Sequence, residues 1–198
     1  MSFNIKGVKF TVSFSFFAVL LLFLIADKSA FYLKTLFYAV LHEAVHLILI
    51  SKLSSPPNSV KLSLFGGDIK RCSDSKTTFF TETAINISAP IFNILLGLLL
   101  IVLNHSFNFD LNEDVAINLT LGLFNILPYY NFDGGNALKN ILLMRLSIDT
   151  TEKIITVLSV IVSISFALIS VYIFINYQKN YILLIFAVYM LLMIIFKK

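Results

Sequence analysis

The sequence predicts an all-α polytopic membrane protein with about six transmembrane helices. Of its 198 residues, 58% are hydrophobic and only 13% are charged, and the mean hydropathy is +0.89. Soluble domains are about 45–50% apolar and about 25% charged. A transmembrane helix needs roughly 20 apolar residues, so six spans account for most of the chain. We therefore expect a single transmembrane domain over residues 1–198, with no soluble nucleotide-binding or sensing head.

Two irregular features interrupt the apolar segments. The fourth segment is broken at Pro128, because proline cannot continue a helical hydrogen-bond ladder. After the second segment, residues 60–64 alternate apolar and polar side chains like a strand, and Gly66-Gly67 favours a tight turn. We therefore expect a small β-hairpin-like segment there. The predicted spans are 8–26, 30–50, 79–103, 114–146 with its break, 153–175 and 181–196.

The basic residues predict the orientation of the chain. Under the six-span layout, 12 of the 15 Lys and Arg lie on the side that holds both termini and the loops after the second and fourth spans. The positive-inside rule assigns that side to the cytoplasm. There is no basic stripe, which argues against nucleic acid as a partner despite the net charge of +4. The single cysteine, Cys72, excludes an intrachain disulfide and a multi-cysteine metal site.

The strongest chemical signal is His42-Glu43-Ala44-Val45-His46 on the second predicted span. Residues four apart share one helix face, so the two imidazoles can hold one zinc ion while the glutamate reaches the attacking water. Two histidines and a glutamate inside an apolar span cost several kcal/mol unless they are paired or ligating. The alternative is a satisfied polar cluster between helices.

A third zinc ligand is needed, because catalytic zinc usually takes three protein ligands and leaves one position open. The best candidate is Asp133, which lies in Asn131-Phe132-Asp133-Gly134-Gly135 at the break of the fourth span. Irregular backbone at membrane depth occurs only where it lines a cavity or is buried in protein. At 1.5 Å per residue, this break and the two histidines both lie about 18–24 Å from the outer face. The alternative role for Asp133 is an N-cap.

In combination these motifs resemble the site-2 protease family of intramembrane zinc metalloproteases. The family pairs H-E-x-x-H with N-P-D-G or L-D-G on a later span, and here Phe132 replaces the proline. The resemblance covers about residues 31–146. Three further segments resemble the family's F-G-G, G-P-x-x-N and N-x-x-P motifs, namely Phe65-Gly66-Gly67, Ala89-Pro90-Ile91-Phe92-Asn93 and Asn125-Ile126-Leu127-Pro128.

The resemblance implies a zinc metalloendopeptidase acting on membrane-embedded or membrane-anchored proteins. It implies one Zn²⁺ per chain, with Glu43 as the general base. The implied zinc ligands are His42, His46 and Asp133. The residues implied in substrate positioning are Phe65, Gly66, Gly67, Asn93 and Asn125. For the two asparagines, interhelical hydrogen bonding is an equal alternative.

The compact six-span form is similar to the sporulation branch of the family, although we expect neither its C-terminal CBS domain nor a PDZ domain. The resemblance favours a multi-pass protein of a bacterial cell membrane, with both termini cytoplasmic and a transmembrane protein or peptide as substrate. The sequence specifies neither that substrate nor the oligomeric state. Two other functions stay open. One is a catalytically inactive binding protein on the same scaffold, and the other is a transporter, for which one broken span is too few.

Overall fold

The computed structural model describes residues 2–5, 8–12, 31–54, 57–63, 66–71, 77–107, 109–177 and 181–195. Across these ranges the chain forms two compact units, Met1–Asn125 and Ile126–Lys198. The strands are β1 (Ser2–Ile5), β2 (Val8–Val12), β3 (Pro57–Ser63) and β4 (Gly66–Arg71). The helices are α1 (Phe31–Leu53), α2 (Phe79–Phe107), α3 (Asn112–Ile126), α4 (Asp133–Leu143), α5 (Ile148–Tyr177) and α6 (Tyr181–Ile195).

Among the described residues, three helices are long and apolar enough to cross a membrane, namely Phe31–Leu53, Phe79–Phe107 and Ile148–Asn176. They correspond to the second, third and fifth predicted spans. Large apolar side chains on them, such as Phe37, Leu99 and Leu168, are exposed. Such extensive apolar exposure suits contact with lipid rather than water. The apolar helices thus indicate a membrane protein, while the layout of six spans stays a prediction.

The predicted break in the fourth span is present in the structure. Helix α3 ends at Ile126, and α4 begins at Asp133. Residues 127–132 between them are not helical, in agreement with the effect of Pro128 on a helix. The two pieces have 15 and 11 residues, so neither alone reaches the roughly 20 residues of a complete span.

The start of the first predicted span is wrong. Val8–Val12 forms β2, in which apolar and polar residues alternate, and not the beginning of a helix. This strand pairs antiparallel with β1 and parallel with β3, so the sheet has the order β1-β2-β3-β4. The rest of that predicted span, residues 13–30, lies outside the described residues.

The segment that was predicted to form a hairpin contributes β3 and β4, which run antiparallel. The turn predicted at Gly66-Gly67 is wrong, because these glycines belong to β4 and lie opposite Ser63 and Leu62. Residues 64–65, including Phe65, lie outside the described residues. Open sheet edges do not occur in the hydrocarbon region of a membrane. The N-terminal strands and the strands between α1 and α2 belong to one sheet, which we expect on the side of the membrane that the basic residues predict.

Two glycines in the first unit let α2 and α3 approach closely. A Cβ on Gly122 would lie 2.8 Å from the carbonyl oxygen of Pro90 and 2.6 Å from a side-chain carbon of Ile94. A Cβ on Gly97 would meet the flexible end of the Leu119 side chain, at 2.8 Å. Small residues at such crossings are typical of helix packing in membranes.

We expect Gly122→Ala to lower the free energy of unfolding by about 1–3 kcal/mol, because a backbone carbonyl cannot yield to the added carbon as a side chain does. Gly97→Ala is the matched control. Its neighbour can rotate away, and alanine favours the helix over glycine by about 1 kcal/mol. Unfolding in detergent micelles by added denaturing detergent measures both changes. Equal losses in the two variants would contradict this account of the α2–α3 contact.

The second unit is organised by α5 and α6, which pack against each other. The rings of Phe166 and Phe186 meet edge to face, with centroids 5.5 Å apart. The Ser170 hydroxyl lies 2.8 Å from the Phe166 carbonyl oxygen and 3.2 Å from that of Leu183. The buried hydroxyls of Ser159 and Ser170 on α5 thus find hydrogen-bond partners in backbone carbonyls of their own helix, as polar groups in apolar helices commonly do.

Candidate metal centre

The two histidines of the H-E-x-x-H motif are buried side by side on α1. His42 is 6% exposed and His46 is 7% exposed. Their ring centroids are 5.1 Å apart, and the ring planes meet at 82°. The four-residue spacing on a continuous helix produces this arrangement. Glu43, which follows His42 in the chain, is half-buried.

Nδ1 of each histidine lies within hydrogen-bonding distance of an oxygen atom. His46 Nδ1 lies 3.0 Å from the backbone carbonyl oxygen of Ile85, and His42 Nδ1 lies 2.6 Å from Oδ1 of Asn93. A backbone carbonyl can only accept a hydrogen bond, so Nδ1 of His46 carries the hydrogen. Its Nε2 then keeps the lone pair that a metal ion requires. Metal-ligating histidines nearly always have an oxygen partner on the other ring nitrogen.

Asn93 connects three helices of the first unit. Besides its contact with His42 on α1, it donates from Nδ2 to Oδ1 of Asn118 on α3, at 3.0 Å. Asn118 donates in turn from Nδ2 to the backbone carbonyl of Asp114, at 2.9 Å. Both asparagine side chains are fully buried. Asn93 therefore makes the interhelical hydrogen bonds that were its alternative role, and its part in positioning a substrate stays a prediction.

A charged cluster lies one to two helical turns from the histidines. Lys34 Nζ lies 3.0 Å from Oδ2 of Asp114 and 3.1 Å from Oε2 of Glu113. The Tyr38 hydroxyl donates to Oδ1 of Asp114 at 3.0 Å. These residues and Asn118 were not among the residues predicted for the site. Their only sequence signal is the four-residue spacing of polar side chains along one face, on α1 at Lys34, Tyr38, His42 and His46 and on α3 at Asp114 and Asn118.

Asp133 is the first residue of α4. The N-cap of this helix is Phe132, whose own side chain makes no capping hydrogen bond. The N-cap position that was the alternative role of Asp133 is thus occupied by Phe132. The side chain of Asp133 is half-buried.

The loop that precedes Asp133 is held tightly inside the second unit. The Tyr129 hydroxyl donates to the carbonyl of Met190 at 2.8 Å, and the backbone N–H of Tyr130 donates to Oγ of Ser159 at 3.0 Å. After the loop, a Cβ on Gly134 would collide with the Ile126 carbonyl, and one on Gly135 would collide with the Tyr129 carbonyl. The two glycines are thus required by close backbone contact.

The structure also describes three further residues that were predicted for the site, namely Asn125, Gly66 and Gly67. Asn125 is half-buried and donates to the Leu121 carbonyl of its own helix at 3.0 Å. Gly66 and Gly67 belong to β4. His105, which was rejected as a ligand, is exposed in the last turn of α2. The roles of these residues, like those of Glu43 and Asp133, stay predictions.

The histidine pair fits a zinc ion by its chemistry. Imidazole nitrogen is a preferred zinc ligand, and both Nδ1 atoms are engaged with oxygen while both rings are buried. Burying a polar pair of this kind is expensive unless its members ligate a metal or pair with another group. The first unit therefore provides two ligands of the kind that a three-ligand zinc site needs.

Comparisons with known proteins identify relatives of this fold. No model of a known protein family matches the chain. The zinc metalloprotease MJ0392 of Methanocaldococcus jannaschii is 26% identical over 153 residues, which are 71% of this chain and 44% of that protein. The chain thus spans less than half the length of this relative. The solved site-2 protease from Methanocaldococcus jannaschii matches with a TM-score of 0.66 and 21% identity, over 96% of this chain and 92% of that one.

The structural match shows that the chain has the fold of a site-2 protease. Together with the curated relative, it confirms the resemblance to the site-2 protease family that the sequence motifs predicted.

Proposed function

We propose that this chain is a zinc metalloprotease that hydrolyses peptide bonds of membrane-embedded or membrane-anchored proteins. The proposal proceeds from its resemblance to the site-2 protease family. The observation that carries the proposal is the buried pair of His42 and His46, each with an oxygen atom at Nδ1. This pair lies on a helix that is apolar enough to cross a membrane. Metal-ligating histidines nearly always have an oxygen partner of this kind on the ring nitrogen that does not bind the metal.

We propose Asp133 as the third zinc ligand. A carboxylate with two imidazoles is an established donor set for catalytic zinc. Two features support the choice: the D-G motif of the family and the position of Asp133 at the start of α4. The two glycines after it allow close backbone contacts at the start of α4. This close packing limits the movement of the carboxylate.

A zinc ion at this site would polarise the scissile carbonyl and acidify a water molecule. Glu43 accepts a proton from that water as it attacks the carbonyl carbon, and later returns the proton to the departing amine nitrogen. The C–N bond breaks, and the products are a carboxylic acid and an amine. Asn125 orients the substrate backbone in this proposal, as the family motifs imply, while Asn93 is buried between His42 and Asn118.

We also propose how an extended substrate binds. A transmembrane helix must unwind locally before a protease can reach its peptide bonds, because helical carbonyls and N–H groups are already paired. Strand β4 is at one edge of the described sheet, and an edge strand can pair with an extended peptide. Phe65, Gly66 and Gly67, where β4 begins, are the proposed contacts. The six-span arrangement with cytoplasmic termini belongs to the same proposal.

The zinc content of the purified protein in detergent tests the ligand set. We expect about one zinc per chain in the wild type, and less than about a tenth of that in His46→Ala and in Asp133→Ala, because each loses one of three protein ligands. His105→Ala is the matched control, since this histidine is exposed. Its zinc content should equal that of the wild type.

The possible outcomes separate the parts of the proposal. If the folded wild type holds no zinc, the protease proposal fails, and an inactive binding protein on the same scaffold takes its place. If His46→Ala loses zinc and Asp133→Ala keeps it, the metal site exists with another third ligand. A loss of zinc in the His105→Ala control would show that the assay reports unfolding and not ligation.

A further inference from the structure

A series of hydrogen bonds links Asp114 to His42 through Asn118 and Asn93. The protein backbone fixes the donor and the acceptor in each of these bonds. This series of hydrogen bonds begins at the backbone carbonyl oxygen of Asp114, which can only accept a hydrogen bond. Asn118 must therefore place its amide NH₂ there, at 2.9 Å. Amide nitrogen and oxygen atoms are usually assigned from their surroundings, and a helix carbonyl leaves no choice in this case.

The orientation of each amide group determines which atom of the next side chain donates and which accepts. With its NH₂ on the helix carbonyl, Asn118 presents Oδ1 to Asn93, which must donate from its own NH₂ across 3.0 Å. Asn93 then presents Oδ1 to the histidine, 2.6 Å from Nδ1. An amide oxygen only accepts, so the His42 ring must carry its hydrogen on Nδ1. Its Nε2 is left with a lone pair.

The two asparagines that form these hydrogen bonds are shielded from solvent. Asn118 and Asn93 are both 0% exposed, so no solvent molecule can replace a missing partner without entering the packed interior. The helix that carries Asn118 is also fixed against α1, because Asp114 accepts hydrogen bonds from Lys34 and Tyr38. Asn118 is thus held at both ends, by its own helix and by the neighbouring helix.

We propose that Asn118 is a positioning residue of the metal centre, which sets the tautomer of His42 through Asn93 and so keeps Nε2 available to a metal ion. This inference rests on the proposed function, because the metal ion is zinc in that proposal. Asn118 lies outside the motifs that resemble the family, and it contacts His42 only through Asn93.

Two substitutions at the same position test the proposal. Asn118→Leu removes both the donor and the acceptor at nearly constant size, and the buried NH₂ of Asn93 is then free to turn toward His42. We expect zinc affinity to fall about 10- to 100-fold, as is typical when the partner behind a metal-ligating histidine is lost. Asn118→Asp should restore affinity to within about threefold of the wild type, because a protonated carboxyl donates to the helix carbonyl and accepts from Asn93. Burial favours that protonated form.

Asn176→Leu is the control for loss of an asparagine that bonds to its own helix. Its Nδ2 donates to the Tyr172 carbonyl at 2.9 Å, but it is exposed on α5. Zinc affinity should not change in this variant. Competition with a chelating dye measures affinity in each folded preparation, so a loss of stability alone does not alter the result.

A second measurement follows the tautomer itself without any metal. Nitrogen-15 NMR of the histidine-labelled, metal-free protein at mildly alkaline pH distinguishes a protonated from an unprotonated ring nitrogen. We expect His42 to carry hydrogen on Nδ1 in the wild type and in Asn118→Asp, and to show a substantial Nε2–H population in Asn118→Leu. The His42 signal is assigned by its absence from His42→Ala.

The two measurements keep this inference separate from the proposed function. If Asn118→Leu binds zinc as the wild type does, or keeps His42 in the Nδ1–H form, the inference is overturned. If Asn118→Asp loses affinity as Asn118→Leu does, the hydrogen-bond pattern is not what matters, and the inference is also overturned. If the wild type binds no zinc but the tautomer shifts in Asn118→Leu, the positioning role stands and the proposed function fails.

Discussion

Glu43→Gln will abolish peptide-bond cleavage while the protein keeps its fold and its zinc. Glutamine has nearly the size and shape of glutamate, but its neutral amide cannot take a proton from the attacking water. General base catalysis contributes about 10²–10⁴-fold to a hydrolytic rate, so we expect a decrease in kcat of at least about 100-fold. The assay is cleavage, in detergent micelles, of a fluorescence-quenched single-span peptide that the wild type cuts, selected from a panel with helix-breaking residues at different depths.

The matched control for this prediction is Glu82→Gln. Glu82 lies in the first turn of α2, where it accepts a hydrogen bond from Thr77, and we expect its rate to equal that of the wild type. Cleavage retained by Glu43→Gln would show that another group serves as the base. Loss of zinc together with activity would instead show that Glu43 supports the metal site, and it would leave the base unassigned.

The features that could be predicted from the sequence depend on residues close together in the chain. The two histidines on one helix face follow from a spacing of four residues and the pitch of an α-helix. The break between α3 and α4 follows from Pro128, which lacks the backbone N–H that a helix needs. Both effects act within a single turn, so no knowledge of the surrounding fold was required.

The strand β2 could not be predicted in the same way. Residues 8–12 continue into a long apolar segment, and a window of 19 residues averages the short alternation away. The strand is paired with β3, whose register sets Phe10 opposite Val60. Partners about 50 residues apart are determined by the fold and not by local sequence, which is why hydropathy assigned these residues to a helix.

The hydrogen-bond chain behind His42 was missed for a related reason. Asn118 belongs to α3, His42 to α1 and Asn93 to α2. Three helices must pack in one register before these side chains meet, and that register depends on the close α2–α3 contact at Gly122. The polar spacing on each helix shows only which face is polar, and the partner of each group remains open until the helices are packed.

Gly134→Ala will destabilise the second unit and weaken zinc binding together. The added Cβ collides with the backbone carbonyl of Ile126, and this carbonyl ends α3 and cannot rotate away as a side chain can. We expect the free energy of unfolding to fall by about 3 kcal/mol or more, at the upper end of the range for overpacking. Because Asp133 is the preceding residue, relief of the collision must move its carboxylate, and we expect zinc affinity to fall at least about tenfold.

Asn136→Ala is the control for this prediction, since Asn136 is exposed on the same turn of α4. Surface substitutions of this kind change stability by about 0.5 kcal/mol or less, and zinc affinity should not change. Unfolding by denaturing detergent and competition with a chelating dye measure the two effects. If Gly134→Ala lost stability but bound zinc normally, the loop would be required for folding alone, and Asp133 would not be the third ligand. If both properties were unchanged, the close contact with Ile126 would itself be contradicted.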